Sequence, residues 1–357
     1  MKEKFYGYNI HKKAILSVFV AFWSFLLFLG TCNAANISTS QSSGCAVELS
    51  GEITSSDYEN VKRAFDALGL LDNTTTDVWE TDTQKALCLN SDGGQYFEGM
   101  KIAQLIHDGA VATRILENSK CYSACAFVFM AGRLKSEDED SPARYMHRTA
   151  SLGFHAPYLK LDPNKSYSNV DVENLTKMQS RVMASFLHFS SFHSMFSFQN
   201  SIPTSLVEEI YAAGPEDLSL VDDIDRAARW GISVEGLVLP SDLKPHQVVQ
   251  LCENMEAWTN DRSAKSDTQF QQQTLPKRVE LKTPNGKKGF WLVDTGGMAT
   301  QNCLIAQNSE FKSMQAICIK DDFTGRHLGD CLSDVPYVVP TWFAFDPKKK
   351  LNTFSGN

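Results

Sequence analysis

Ser123, His155 and the Gly93-Gly94 turn have the types and the order to carry out a reaction. Ser123 lies in Cys121-Tyr-Ser-Ala-Cys-Ala-Phe-Val-Phe-Met-Ala-Gly132, a polar entry to an apolar run. Upstream lies Leu89-Asn-Ser-Asp-Gly-Gly94 and downstream Gly153-Phe-His-Ala-Pro157. A serine opening a helix, a later histidine and a paired-glycine turn supply the nucleophile, base and oxyanion hole of acyl transfer. In that scheme Ser123 attacks an acyl carbon and His155 takes its proton. The Gly93-Gly94 turn allows the close backbone approach that an oxyanion hole needs. Plainer readings stand beside these. Ser123 and Asp217 are also good helix N-caps, His155 is also a turn residue, and Gly93-Gly94 is also a tight turn. No Cys-x-x-Cys pair or His/Cys cluster has zinc spacing, so neither a metal nor a cofactor is expected.

The elements that must position these residues alternate. Cys45 to Ile53 reads as a strand, and Thr54-Ser-Ser-Asp57 offers N-caps to a helix carrying Val61, Ala64, Phe65 and Leu68. Lys85 to Leu89 is a short buried strand leading to Gly93-Gly94. Met100 to Ile106 reads as a helix, Val111 to Leu116 as a strand and Ala124 to Met130 as a helix. Strand–helix alternation of this kind predicts an α/β core with parallel strands. Residues 134–149, with Glu137-Asp-Glu-Asp140, read as a solvated loop. Asn169 to about Phe198 reads as a long helix whose Phe- and Met-rich end suits core or a homo-oligomer contact near residues 170–198.

Residues 1–34 read as a signal peptide, with Lys2, Lys4, Lys12 and Lys13, an apolar run from Ala14 to Gly30, and a small-residue cleavage-like site at Cys32-Asn-Ala34. The alternative is an uncleaved N-terminal anchor. Residues 35–44 read as a flexible lead-in. Without residues 1–34, which carry four lysines and one glutamate, 30 basic residues face 41 acidic ones, a net charge of −11. That balance argues against a nucleic-acid or anionic-membrane partner. Eight cysteines remain (Cys45, Cys88, Cys121, Cys125, Cys252, Cys303, Cys318 and Cys331), an even number that favours disulfides in an exported chain. Residues 45–250 read as the main domain and the Gln-rich 259–278 as a linker. Residues 279–345 read as a small disulfide-stapled β-rich module.

Over residues 45–235 the chain resembles the ClpP/crotonase superfamily, and in particular exported relatives of the proteolytic subunit of Clp protease. Leu89-Asn-Ser-Asp-Gly-Gly94 resembles the family's Ile-Asn-Ser-Pro-Gly-Gly turn. The nine residues from Ser123 to Gly132 match its spacing from nucleophile to Ala-Gly. His155-Ala-Pro157 resembles its His-Gln-Pro, Leu206-Val-Glu-Glu-Ile210 with Asp217 its helix end and acid, and Arg226-Ala-Ala-Arg-Trp-Gly-Ile232 its closing motif. Asp92 departs from the family's proline, and two extra residues separate Asp217 from Gly231. The resemblance implies a spiral of parallel strands with outer helices and a Ser-His-Asp peptidase acting on a peptide or acyl substrate in the periplasm. It implies that Asp217 holds the His155 tautomer and stabilises the imidazolium, and that the backbone N–H groups of Gly94 and Ala124 face the oxyanion. The first alternative is a non-catalytic binding or scaffold protein on the same fold, motivated by Asp92 and the shifted acid. A second is a crotonase-type acyl-CoA enzyme, which export sets apart from CoA.

Overall fold

The computed structural model describes residues 34–39, 44–71, 86–135, 140–157, 164, 166–190, 202–212, 217–240, 242–266, 276–283, 286–294, 302–307, 314–320 and 337–354. In chain order the elements are β1 (Asn36–Thr39), β2 (Val47–Ser50), α1 (Asp57–Leu68), β3 (Ala86–Asn90), α2 (Tyr96–Asp108), β4 (Ala112–Ile115), β5 (Lys120–Tyr122) and α3 (Ala124–Met130). Then follow β6 (Arg133–Lys135), β7 (Asp140–Pro142), β8 (Arg144–His147), β9 (Ser151–Phe154), α4 (Asn169–Ser190), α5 (Thr204–Ala212), β10 (Ser219–Leu220), α6 (Ile224–Arg229), β11 (Ser233–Glu235) and α7 (Pro245–Thr259). The C-terminal strands are β12 (Lys277–Thr283), β13 (Gly286–Asp294), β14 (Asn302–Gln307), β15 (Met314–Lys320) and β16 (Tyr337–Pro340).

The protein is mixed α/β with parallel strands. A six-stranded sheet runs in the order β1-β2-β3-β4-β8-β11. Its strands are parallel from β2 through β11, and only β1 is antiparallel. A second, three-stranded sheet runs β10-β9-β5. Parallel bridges Ile53↔Gly94 and Ser91↔Cys121 carry the pairing just beyond the ends of β2, β3 and β4 toward that second sheet. The unit therefore repeats: a strand of the large sheet, a short extended piece beyond it, then a helix. The repeat builds a helix start next to a sheet edge at Gly94 and again at Ser123.

Burial explains why these segments take these forms. In α1, Val61 and Phe65 lie four apart and face the core, and Gly69 at φ +63° ends the helix where other residues would be strained. Every residue of α3 is buried, so this short helix passes through the core rather than over the surface. Phe127 makes edge-to-face contacts with Tyr96, Phe154 and Phe186, tying α2, β9 and α4 around α3.

Several expectations are corrected. Residues 36–39 are not a loose lead-in: Asn36–Thr39 pairs with Val47–Ser50 and caps the sheet edge. The stretch 134–149 is not simply a solvated loop, because β8 sits inside the large sheet between β4 and β11. Charged Arg144 hid that strand, yet it is buried and donates from Nη1 to the Trp230 carbonyl at 3.0 Å. Lacking water, its guanidinium is pulled down to about 9. In α4, Val182 and Phe186 are buried, while Val170, Val172, Met178 and Leu187 are exposed, so only part of its apolar stripe is used as core. The Phe- and Met-rich stretch 191–198 lies outside the described residues, as do the apolar run 14–30 and Glu137-Asp-Glu139.

The described residues from Ala35 onward belong to one compact unit. The start of the expected linker is docked on the body: the Ala264 N–H and the Ser263 hydroxyl both donate to Asp225. Strands β12 to β16 form a five-stranded antiparallel sheet. The disulfide Cys252–Cys303 staples this sheet to α7 rather than to itself. Further along, Trp342, Leu351 and Phe354 pack into the main core.

Candidate active site

Ser123 is the turn between β5 and α3. Its φ of +55° and ψ of −124° fall in a region normally held by glycine. Such strain persists only where the surroundings impose it. Three constraints do so. The Ser123 N–H donates to the Gly153 carbonyl at 3.1 Å, and the Ala126 N–H donates to the Ser123 carbonyl at 3.0 Å. The disulfide Cys121–Cys125 closes over Tyr122-Ser123-Ala124, with both sulfurs fully buried. The hydroxyl makes no capping bond to the first turn of α3, so the plain N-cap role is not the one it plays. A strand-to-helix turn with a strained serine is the geometry that raises a nucleophilic hydroxyl out of a sheet.

Gly93 lies directly against this serine. A methyl group at Gly93 would come within 2.7 Å of the Ser123 Cβ, 2.6 Å of the Tyr122 carbonyl oxygen and 3.0 Å of the Ala124 nitrogen. At Gly94 it would strike the Ile53 backbone at 2.2 Å. The turn is held by the Ile53 N–H donating to the Gly93 carbonyl (2.7 Å) and the Gln95 N–H donating to the Ile53 carbonyl (2.9 Å). The Gly93 N–H donates to the buried Ser91 hydroxyl at 3.0 Å, so it is already engaged. That leaves Gly94 and Ala124 as the candidate oxyanion donors. Ala124 opens α3, where a backbone N–H has no intrahelical acceptor.

His155 follows β9 directly. In the parallel pairing Tyr122 lies opposite Gly153, so Ser123 and His155 leave the same end of adjacent strands. Half-buried, His155 sets its Nδ1 2.9 Å from the Ala156 carbonyl; with the proton on Nδ1, Nε2 is the basic nitrogen. Asp217 is exposed and precedes β10 by two residues. Ser219 pairs with Phe154 and Leu220 with Gly153, so Asp217 enters the antiparallel strand at the end where His155 leaves β9. The short contact of the Ser219 hydroxyl with Glu209, which also accepts from Arg226 Nε at 2.7 Å, fixes β10 against α5 and α6. Ser123, His155 and Asp217 thus flank the same end of the three strands, with the glycine turn against the serine.

Asp92 is two-thirds exposed and pairs with Lys120 at 2.7 Å. The carboxylate raises the Lys120 ammonium above its ordinary value. Its charge is met at the surface, beside a cleft of about 410 Å³ lined by Ser50, Gly51, Glu52, Asn90, Asp92, Gly94 and Lys120 among others. Ser91, Ile53 and Lys120 were not singled out from sequence. A serine two places before a glycine pair is a turn signal that could have flagged Ser91; the other two act through backbone pairing and a distant carboxylate, which leave no local mark. Among the described residues no group of three or more His, Cys, Asp or Glu is placed to hold a metal ion. No family model matches the chain, and no curated protein matches it in sequence.

Proposed function

We propose that the protein is an exported serine hydrolase with a ClpP/crotonase-like spiral, cleaving a peptide or related acyl substrate in the periplasm. One observation carries the reading: Ser123 is held at a glycine-type backbone conformation between strand and helix, its hydroxyl not spent on the helix, with Gly93 packed against it. The repeating strand–bridge–helix units support the spiral, and the three disulfides accord with a non-cytoplasmic, oxidising compartment. Exposed apolar side chains on neighbouring elements, Phe97 on α2 and Leu218 and Leu220 at β10, suit a peptide or acyl chain.

In the proposed reaction the Ser123 Oγ attacks the acyl carbon while His155 Nε2 takes its proton. Gly94 and Ala124 N–H groups meet the oxyanion. His155 returns the proton to the leaving group, and water then releases the acyl group by the reverse path. A second reading, a binding protein that no longer turns over, is favoured by the exposed Asp217 and by His155 Nδ1 resting on a backbone carbonyl. A fluorophosphonate probe separates the two. The hydrolase predicts covalent labelling at Ser123, lost in Ser123→Ala while the fold is kept, because a non-capping hydroxyl contributes little stability. Absence of labelling in the folded, oxidised protein selects the binding reading.

A further inference from the structure

Asp57 is a carboxylate with no exposure at all. Its Oδ2 accepts the Thr54 N–H at 2.6 Å, the Thr54 hydroxyl at 3.1 Å and the Ala35 N–H at 3.3 Å; its Oδ1 faces the Asn60 amide at 3.5 Å. Among the described residues no Lys, Arg or His nitrogen pairs with it. A buried carboxylate held only by neutral donors is costly, and a nearby cation would offset that cost. Ala35 is buried and Ala34 exposed, so the compact unit of described residues begins at Ala35. The Ala34–Ala35 peptide bond follows the cleavage-like Cys32-Asn-Ala34.

We propose that cleavage after Ala34 creates a structural ion pair: the new α-ammonium of Ala35 docks on Asp57. Hydrolysis of the Ala34–Ala35 amide consumes one water, leaves a carboxylate on Ala34 and gives Ala35 an amine that is protonated at neutral pH. The amide nitrogen that now donates one hydrogen bond to Asp57 becomes a charged donor at the same place. The pair also reaches the candidate site. Asp57 holds Thr54, its neighbour Ile53 bonds the Gly93 carbonyl, and Gly93 packs on Ser123. Processing would thus seat the turn behind Ser123 as well as release the chain. The inference needs the leader reading but not the hydrolase reading.

The test uses the full chain expressed through export, with and without Gly-Ser inserted between Ala34 and Ala35, each in wild-type and Asp57→Asn backgrounds. Intact mass should show a mature chain beginning at Ala35. The insertion should lower Tm by about 3 °C or more in the wild-type background and by under about 1 °C with Asp57→Asn. A readout needing no Asp57 variant is acylation of the α-amine at neutral pH, followed by mass. Ala35 should react at least tenfold more slowly than the terminal glycine of the inserted chain. A different mature start, an equal effect of the insertion in both backgrounds, or equal acylation rates would overturn the proposal.

Discussion

At the residue scale, the candidate site rests on backbone conformations that side-chain chemistry alone would not reveal. Gly93 has φ +99° and leaves no room for a Cβ, the blocking atoms being backbone and the Ser123 Cβ. Gly93→Ala should therefore cost about 2–4 kcal/mol, combining backbone strain with overpacking, and should abolish labelling of Ser123. Urea unfolding with the probe assay checks both; a cost under about 0.5 kcal/mol would contradict the packing. Asp92 tells the opposite story. A carboxylate two residues before Gly94 threatens an oxyanion pocket when read as sequence, but its side chain is exposed and paired with Lys120. Asp92→Asn should leave the rate of Ser123 labelling within about twofold of wild type, since an exposed, screened charge acts weakly at a distance. A tenfold gain at neutral pH would mean the carboxylate suppresses the site.

At the scale of elements, β5 and α3 must meet at a fixed angle for Ser123 to keep its dihedrals. The Cys121–Cys125 disulfide spans that junction. By chain entropy a loop this short contributes only about 2 kcal/mol to stability, so its larger effect should fall on Ser123. Replacing both cysteines by alanine is expected to slow labelling at least tenfold while the protein still unfolds cooperatively. Mass spectrometry of the labelled peptide against time measures it. A variant with lowered Tm and an unchanged labelling rate would show that the disulfide supports the fold alone. Helix α4 shows how far an element can be read from periodicity. Its apolar repeat is real, but only Val182 and Phe186 among its described residues reach the core.

At the scale of the whole molecule, Cys252–Cys303 joins α7 to β14 across a wide loop, with both cysteines buried. Chain entropy assigns such a closure about 4 kcal/mol. Among the described residues three disulfides join six of the eight cysteines beyond residue 34. Thiol titration of the mature protein, denatured without reductant, should find at most two groups. Six or more would place the protein in a reducing compartment and remove the support for export.

Apolar periodicity along the chain was enough to give alternating strands and helices, and with them a mixed α/β core with parallel strands. The sequence also marked the serine, the histidine and the glycine pair, because turn residues and helix starts are local signals. It did not determine β1 or β8. Asn36–Thr39 is a strand because Val47–Ser50 offers it an edge, and Arg144 sits in an interior strand with its guanidinium donating to the Trp230 carbonyl. Nor could sequence decide where Cys252 pairs, that Asp92 turns toward Lys120, or that Asp57 lies buried under Ala35. Each joins residues separated by more than 20 positions. Such pairings depend on how sheets and helices pack in three dimensions, and local periodicity carries no record of that.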